Sequence, residues 1–198
     1  MISKNKVYKS KEIINYYLKN RNSWKKLYKS EKEVLKKVFT KKKVRVLDIG
    51  CAGAGLFLIL NKIWNIKQYQ GVEINRTAVE VIKKKIKRKN FSIKNIDFLK
   101  FSKNKKFDYV FSFSAIDWNY EFKRMLLKAW FHVKLGGFLV ITLRLVKNKK
   151  KNLDYQYINF KNKKRGEKAY YQVMTFKNFL NIINKLNFEV SYFNGYWG

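Results

Sequence analysis

The sequence predicts an α/β fold: an open, mainly parallel twisted sheet with helices on both faces and a helical cover at the N-terminus. Three observations carry that expectation. Val44 to Leu60 reads VRVLDIGCAGAGLFLIL, in which an apolar β-branched run, a loop of small residues and an apolar helix follow one another. Two later apolar runs, around Gly71-Val72-Glu73 and Asn95-Ile96-Asp97, also end in a carboxylate. A helical pattern from Tyr120 to Lys134 then ends at Leu135-Gly136-Gly137, with glycine as its left-handed cap, and leads into a fully buried fifth strand, Phe138 to Leu143.

The chain has 198 residues, enough for one domain with a real core and no need of disulfides or metal. An apolar content of 46% argues for a folded protein rather than a disordered basic one. The single cysteine, Cys51, excludes an intramolecular disulfide framework and suits a reducing compartment. The N-terminus lacks an apolar signal core and no stretch approaches a membrane span, so a cytoplasmic protein is expected.

The net charge of +33 has two readings. It is an electrostatic footprint that nucleic acid or an anionic surface could use. The basic residues are, however, 39 Lys against 7 Arg, with abundant Asn and Ile and no Pro. That is the bias A/T-rich codons produce, and forked phosphate recognition would favour Arg. Charge alone does not choose a partner.

Residues 1–40 read as a helical cover ahead of a domain spanning 41–198. KEIINYYLKN places Ile13, Ile14, Tyr17 and Leu18 at helical spacing, and Ser30 with Glu33 matches a capping box before Val34, Leu35 and Val38. These helices either pack on the core or cover a cleft, with Trp24 and Tyr28 as candidate lining. After the first strand (Lys43 to Ile49) comes the loop Gly50-Cys51-Ala52-Gly53-Ala54-Gly55. A dinucleotide-binding turn would need Gly at 52, which is Ala, and Asp48 would sit poorly beside a pyrophosphate.

The loop resembles motif I of the class I, Rossmann-like S-adenosylmethionine-dependent methyltransferases, an acidic residue followed by small residues. Asp48 holds the acidic position and Gly50 the first glycine, whereas the later glycines are displaced to 53 and 55. The resemblance implies that Asp48, Gly50, Cys51, Ala52 and Gly53 hold the methionine end of S-adenosylmethionine. Glu73, which lies 25 positions beyond Asp48, and its neighbour Ile74 would serve the ribose. Asp97 and Phe98 would serve the adenine, with Ser112 near the end of the fourth strand (Phe107 to Ser114) also at the cofactor. Three carboxylates on successive strand ends form a more specific pattern than any one of them.

Past the fourth strand, SAIDWNYEF places Asp117 and Trp118 where the resemblance puts the acceptor. Asp117 reads either as a general base for a hydroxyl or as the cap of the next helix. The absence of proline counts against methylation of nucleobase amines, whose enzymes carry an Asn/Asp-Pro-Pro-aromatic stretch at this point. His132, the only histidine, falls in the last turn of the helix, where a cation is favourable. With one His and one Cys no metal site is supported.

Segment 147–175 is a candidate substrate lid. A helix from Thr175 to Leu186 and a strand from Phe188 to Phe193 follow, and no seventh strand is found unless Tyr170 to Met174 takes its place at the sheet edge. The stretches YQYINF, RGEKAYY and GYWG are similar to those of methyltransferases of surface-polysaccharide synthesis, which implies a glycan acceptor. The expected function is methyl transfer from S-adenosylmethionine to an O or N atom of a small-molecule or glycan-type acceptor. RNA methylation using the basic surface, or a non-catalytic cofactor-binding module, are the alternatives. The oligomeric state is not legible.

Overall fold

The computed structural model describes residues 11–40, 43–64, 66–102, 104–148, 153–158 and 165–195. Tyr196-Trp197-Gly198 and part of the proposed lid lie outside them. Five parallel strands form the central sheet: β1 (Arg45–Ile49), β2 (Gln68–Glu73), β3 (Phe91–Asn95), β4 (Phe107–Phe113) and β5 (Val133–Thr142), in the order β3-β2-β1-β4-β5. The chain steps outward from β1 to β3 and then returns to place β4 on the other side of β1. This reversal parts the connections above the C-terminal ends of β1 and β4, and a ligand crevice opens there.

Alternation along β1 shows why both faces are covered. Val46 joins one core with Leu56, Phe57 and Leu60 of α3 (Gly55–Trp64), Val79 and Ile82 of α4 (Arg76–Lys85), and Leu35 of α2 (Lys29–Val38). Its neighbour Leu47 joins the other, with Met125, Leu126 and Ala129 of α5 (Phe122–Phe131) and Phe179 and Ile183 of α6 (Phe176–Lys185). Leu35, Val46, Leu47 and Leu126 are fully buried, each contributing about 1.5–3 kcal/mol of transfer free energy.

The N-terminal cover is tied down by polar contacts. The Arg21 guanidinium pairs with Glu31, which is 1% exposed, and lies 4.4 Å above the Tyr28 ring. Glu31 also accepts the Tyr28 backbone N–H at 2.8 Å, so α2 begins two residues earlier than the Ser30/Glu33 pattern predicts. The same sequence logic operates, with a different Glu reaching back. The displaced glycines of the loop serve this cover. A Cβ on Gly53 would lie 3.1 Å from the Leu18 backbone nitrogen, and one on Gly55 would lie 1.7 Å from the Arg21 carbonyl oxygen. Backbone therefore rests on backbone where α1 (Lys11–Asn20) and its following turn cross the loop.

Three expectations are corrected. α5 ends at Phe131, and Gly136-Gly137 is not its cap: residues 134–137 bulge out of β5, with Gly136 at φ +69 and Leu135 wholly exposed. A Cβ on Gly137 would meet the Asp108 carbonyl oxygen at 2.6 Å, so glycine is required by the bulge's approach to β4. β5 is only partly buried, because its outer edge pairs with nothing among the described residues. His132 is not a solvated cation at a helix end. It is 2% exposed, with the Phe101 and Phe98 rings 5.3 and 5.9 Å away, and burial chiefly, then Lys128 and Lys106, holds its pKa below the usual histidine value.

Residues 188–195 run without strand structure. Met174–Thr175 (β9) pairs with Leu145–Val146 (β6), not with β5, and Leu153–Ile158 (β7) and Arg165–Tyr171 (β8) form an antiparallel hairpin. Gly55→Ala tests the backbone packing of the cover. The clash with Arg21 is expected to cost about 3 kcal/mol in urea unfolding, and an unchanged midpoint would show that residues 17–22 do not rest on the loop.

Candidate active site

At the crevice between β1 and β4 lies a cavity of about 200 Å³. Gly50 forms its floor at φ +68, and a Cβ there would stand 2.5 Å from the Ala115 Cβ, so only glycine lets the β1 loop meet the β4 loop this closely. The Gly50 and Cys51 N–H groups both donate to the Val72 carbonyl oxygen, at 2.8 and 3.3 Å. Ala52 and Ala54 adopt φ +43 and +52, the left-handed conformations for which glycine is the usual choice. The departure from the family's glycine pattern therefore leaves the loop shape intact and stores strain in it.

Glu73 closes one side. One carboxylate oxygen accepts the Ala52 N–H at 2.8 Å and the other the Asn75 N–H at 2.8 Å, and acceptor capacity remains on the carboxylate for a ligand's hydroxyl. Burial pushes its pKa up, and the backbone donors of Asn75, Ala52 and Ile74 oppose that shift. Beyond it, Asn75 caps α4 by accepting the Ala78 N–H at 3.1 Å. Ile74, Ala78, Ile96 and Phe98 make an apolar slot, with Asp97 at its rim. The Asp97 carboxylate accepts the Leu99 N–H at 2.9 Å, an arrangement that aims its second oxygen's capacity elsewhere. A flat heterocycle with an attached diol and a cationic end fits this set of groups. A pyrophosphate would face two carboxylates.

Of the residues singled out from sequence, Gly50, Ala52, Glu73, Ile74, Asp97, Phe98 and Trp118 line this cavity. Asp48 does not. It is 4% exposed and accepts the Tyr69 hydroxyl, with its pKa pushed up to about 7 by burial, against the lowering effect of that bond. The charge argument against pyrophosphate thus passes from Asp48 to Glu73. Cys51 faces the sheet beside Gly71, and Gly53 lies under α1. Ser112, fully buried, accepts the Ile116 N–H at 3.2 Å and braces the turn that carries Trp118. Trp24 packs on Trp64 with ring centroids 5.8 Å apart, and Tyr28 stands outside this cavity.

Asp117 is 1% exposed and also lies outside the wall. Its backbone oxygen accepts the Gln172 N–H at 2.8 Å, so the turn is tied to the chain after β8. Sequence reasoning missed Ile14, Tyr17, Asn75, Ser114, Ala115, Asn119 and Met125, all in the wall. Ile14 and Tyr17 were legible as an apolar helix face; which apolar face meets a cavity is a tertiary fact. No group of His, Cys, Asp and Glu able to hold a metal occurs among the described residues.

Two measurements follow from this geometry. Ala52→Gly is expected to raise stability by about 1 kcal/mol by relieving the left-handed strain; a loss of stability would count against that backbone. The Asp48 carboxyl titrates near 7 when folded and near 3.8 in its unperturbed form. The native state therefore holds the extra proton between these values, and stability falls as pH rises through that window. Urea unfolding at pH 5 and pH 8 is expected to show this fall in the wild type and a flatter profile in Asp48→Asn. Equal slopes would dismiss Asp48 as its source.

A family model described as "Methyltransferase domain" matches residues 40–181, most of the chain. Among curated proteins, the uncharacterized protein MJ0906 of Methanocaldococcus jannaschii is 24% identical over 147 residues, or 73% of this chain and 40% of that protein. The chain thus spans about two-fifths of that relative's length. An S-adenosylmethionine-dependent methyltransferase from Mesorhizobium loti superposes with a TM-score of 0.62 at 14% identity, covering 82% of this chain and 83% of its own. The [4+2]-cyclase SpnF has the same TM-score at 16% identity, covering 81% and 56%. One fold therefore carries more than one chemistry. The matched family model, spanning the loop, all three strand-end carboxylates and the return through β5, places this chain in the class I S-adenosylmethionine-dependent methyltransferase family.

Proposed function

We propose that the protein transfers the methyl group of S-adenosylmethionine to an O or N atom of a small-molecule or glycan-type acceptor. The observation that carries this reading is the position of Glu73. It is a buried carboxylate at the end of β2, braced by the Ala52 and Asn75 amides, with acceptor capacity left for a ribose hydroxyl. Gly50 and Ala52 would hold the methionine end, while Asp97 with Ile74 and Phe98 would hold the adenine. Trp118 and Asn119 line the same cavity.

The sulfonium methyl is already electrophilic. With the cofactor bound, an acceptor O or N would take the methyl carbon as the carbon–sulfur bond breaks, the bonding pair would stay on sulfur, and the acceptor's proton would pass out to bulk solvent. The chain's own work is alignment and exclusion of water, for which Tyr17 and Ile14 of α1 supply the roof. Asp117 fits a positioning role through the Ile116–Trp118 turn and its tie to Gln172. The single cysteine, buried and free, suits a reducing cytoplasm, and no helix among the described residues is long and apolar enough to cross a membrane.

RNA is the second reading. Exposed Lys83, Lys84, Lys85 and Lys87 at the end of α4 favour it, whereas the carboxylates of the cavity disfavour a polyanion inside. A steep loss of RNA affinity with salt would revive it.

Calorimetric titration with S-adenosylhomocysteine, with NAD as comparison, is the direct test. Binding of the former alone is expected; binding of NAD alone, or of neither, overturns the proposal. Glu73→Ala is expected to weaken S-adenosylhomocysteine by roughly ten- to a hundredfold, the scale of lost hydrogen bonds to a charged group, and Asp117→Asn to leave it within about twofold.

A further inference from the structure

A second cavity, of about 950 Å³, adjoins the first, and Ser114 lines both. Ser114 is the residue immediately past β4. It holds a left-handed backbone at φ +51, and its N–H is pinned by Thr142, 3.3 Å from the carbonyl oxygen and 3.0 Å from the side-chain oxygen. From this point the larger cavity follows the outer edge of β5, touching every residue from Gly137 to Val146, with residues 188–195 on its far side. Val34 and Val38 of α2 close one flank, and Phe179 and Ile183 of α6 close the other.

These flanks continue the two cores on either side of the sheet. Most of the wall is apolar, and a hydrated sugar placed between the flanks would lose water against it, with polar partners where Arg144, Glu189, Ser191 and Asn194 line the cavity. An apolar ring body gains there by roughly 25 cal/mol per Å² buried. An extended peptide could pair with β5 along one edge, but residues 188–195 form no strand, so its other row of N–H and C=O groups would be buried unpaired. Thr142 and Ser114 supply polar groups close to the junction, and Ser30, Arg144, Glu189 and Asn194 supply others along a lining that is otherwise mainly apolar, the usual composition of a small-molecule site.

We infer that the second cavity is the acceptor site, and that its acceptor is a predominantly apolar, ring-bearing small molecule presenting one O–H or N–H at Ser114. This rests on the methyl-transfer reading and narrows it to the small-molecule side. The walls select the ring body, and the Ser114 junction brings its nucleophile to the smaller cavity. Methylation conserves atoms as written above: one C–O or C–N bond replaces the C–S bond, and one proton goes to water.

The test uses the full chain saturated with S-adenosylhomocysteine and titrated with 2-naphthol, N-acetylglucosamine and a seven-residue Val-Thr alternating peptide. 2-Naphthol alone is expected to bind. Val34→Trp fills one flank, and Phe193→Glu places a carboxylate at the exposed rim, where Phe193 is 54% exposed and is unlike a core residue. Each is expected to weaken 2-naphthol at least tenfold while S-adenosylhomocysteine affinity stays within twofold. Binding of the sugar or the peptide without 2-naphthol overturns the inference, as does 2-naphthol affinity unchanged in both variants. Failure of the wild type to bind S-adenosylhomocysteine appears in the titration without 2-naphthol and overturns methyl transfer itself. Binding of S-adenosylhomocysteine without 2-naphthol overturns the acceptor assignment alone.

Discussion

The two hydrogen bonds that Glu73 accepts from Ala52 and Asn75 join the end of β2, the loop after β1 and the start of α4. The loop 21 residues upstream and the adjoining start of α4 meet on one carboxylate, and the cavity takes its shape from that meeting. The loop can be held this way because its first residue is glycine and because Ala52 and Ala54 accept a left-handed backbone. Replacing water around Glu73 with backbone N–H groups raises its pKa less than burial alone would, so the group retains its use as an acceptor for a polar ligand.

Charge distribution sharpens the same point. The chain carries 13 acidic residues against 46 basic ones. Glu31, Asp48, Glu73 and Asp117 are nevertheless buried. Acidic groups are thus drawn into the interior and the cavity wall, while lysines occupy outer faces such as that of α4. A ligand with a cationic end meets favourable charge in the cavity even though the molecule as a whole is strongly basic.

The N-terminal segment is part of the site because two glycines remove the side chains that would hold it away. Gly53 and Gly55 depart from the spacing of the resembled loop, and their positions are explained by the crossing of residues 17–22. Tyr17 and Ile14 then form the roof of the cavity. On the opposite side of the sheet centre, the outer edge of β5 pairs with no strand among the described residues, and the larger cavity lies between that edge and residues 188–195.

Local pattern located the first four central strands, the loop at Gly50 and the later part of β5, and the resemblance to the methyltransferase family pointed to the carboxylates at Glu73 and Asp97. Each is announced by contiguous residues: an apolar run, a small-residue turn, an acid at a strand end. The same contiguity could not place Asp48, because a strand-end carboxylate reads alike whether it faces a ligand or the Tyr69 hydroxyl behind the sheet. Nor could it assign the Gly136-Gly137 pair, which serves as a helix cap or a strand bulge according to how closely β4 approaches. Tertiary structure alone decided the roof from α1, the junction at Ser114 and the open edge of β5. All three depend on which distant backbone comes within van der Waals or hydrogen-bond reach, and no local periodicity encodes that.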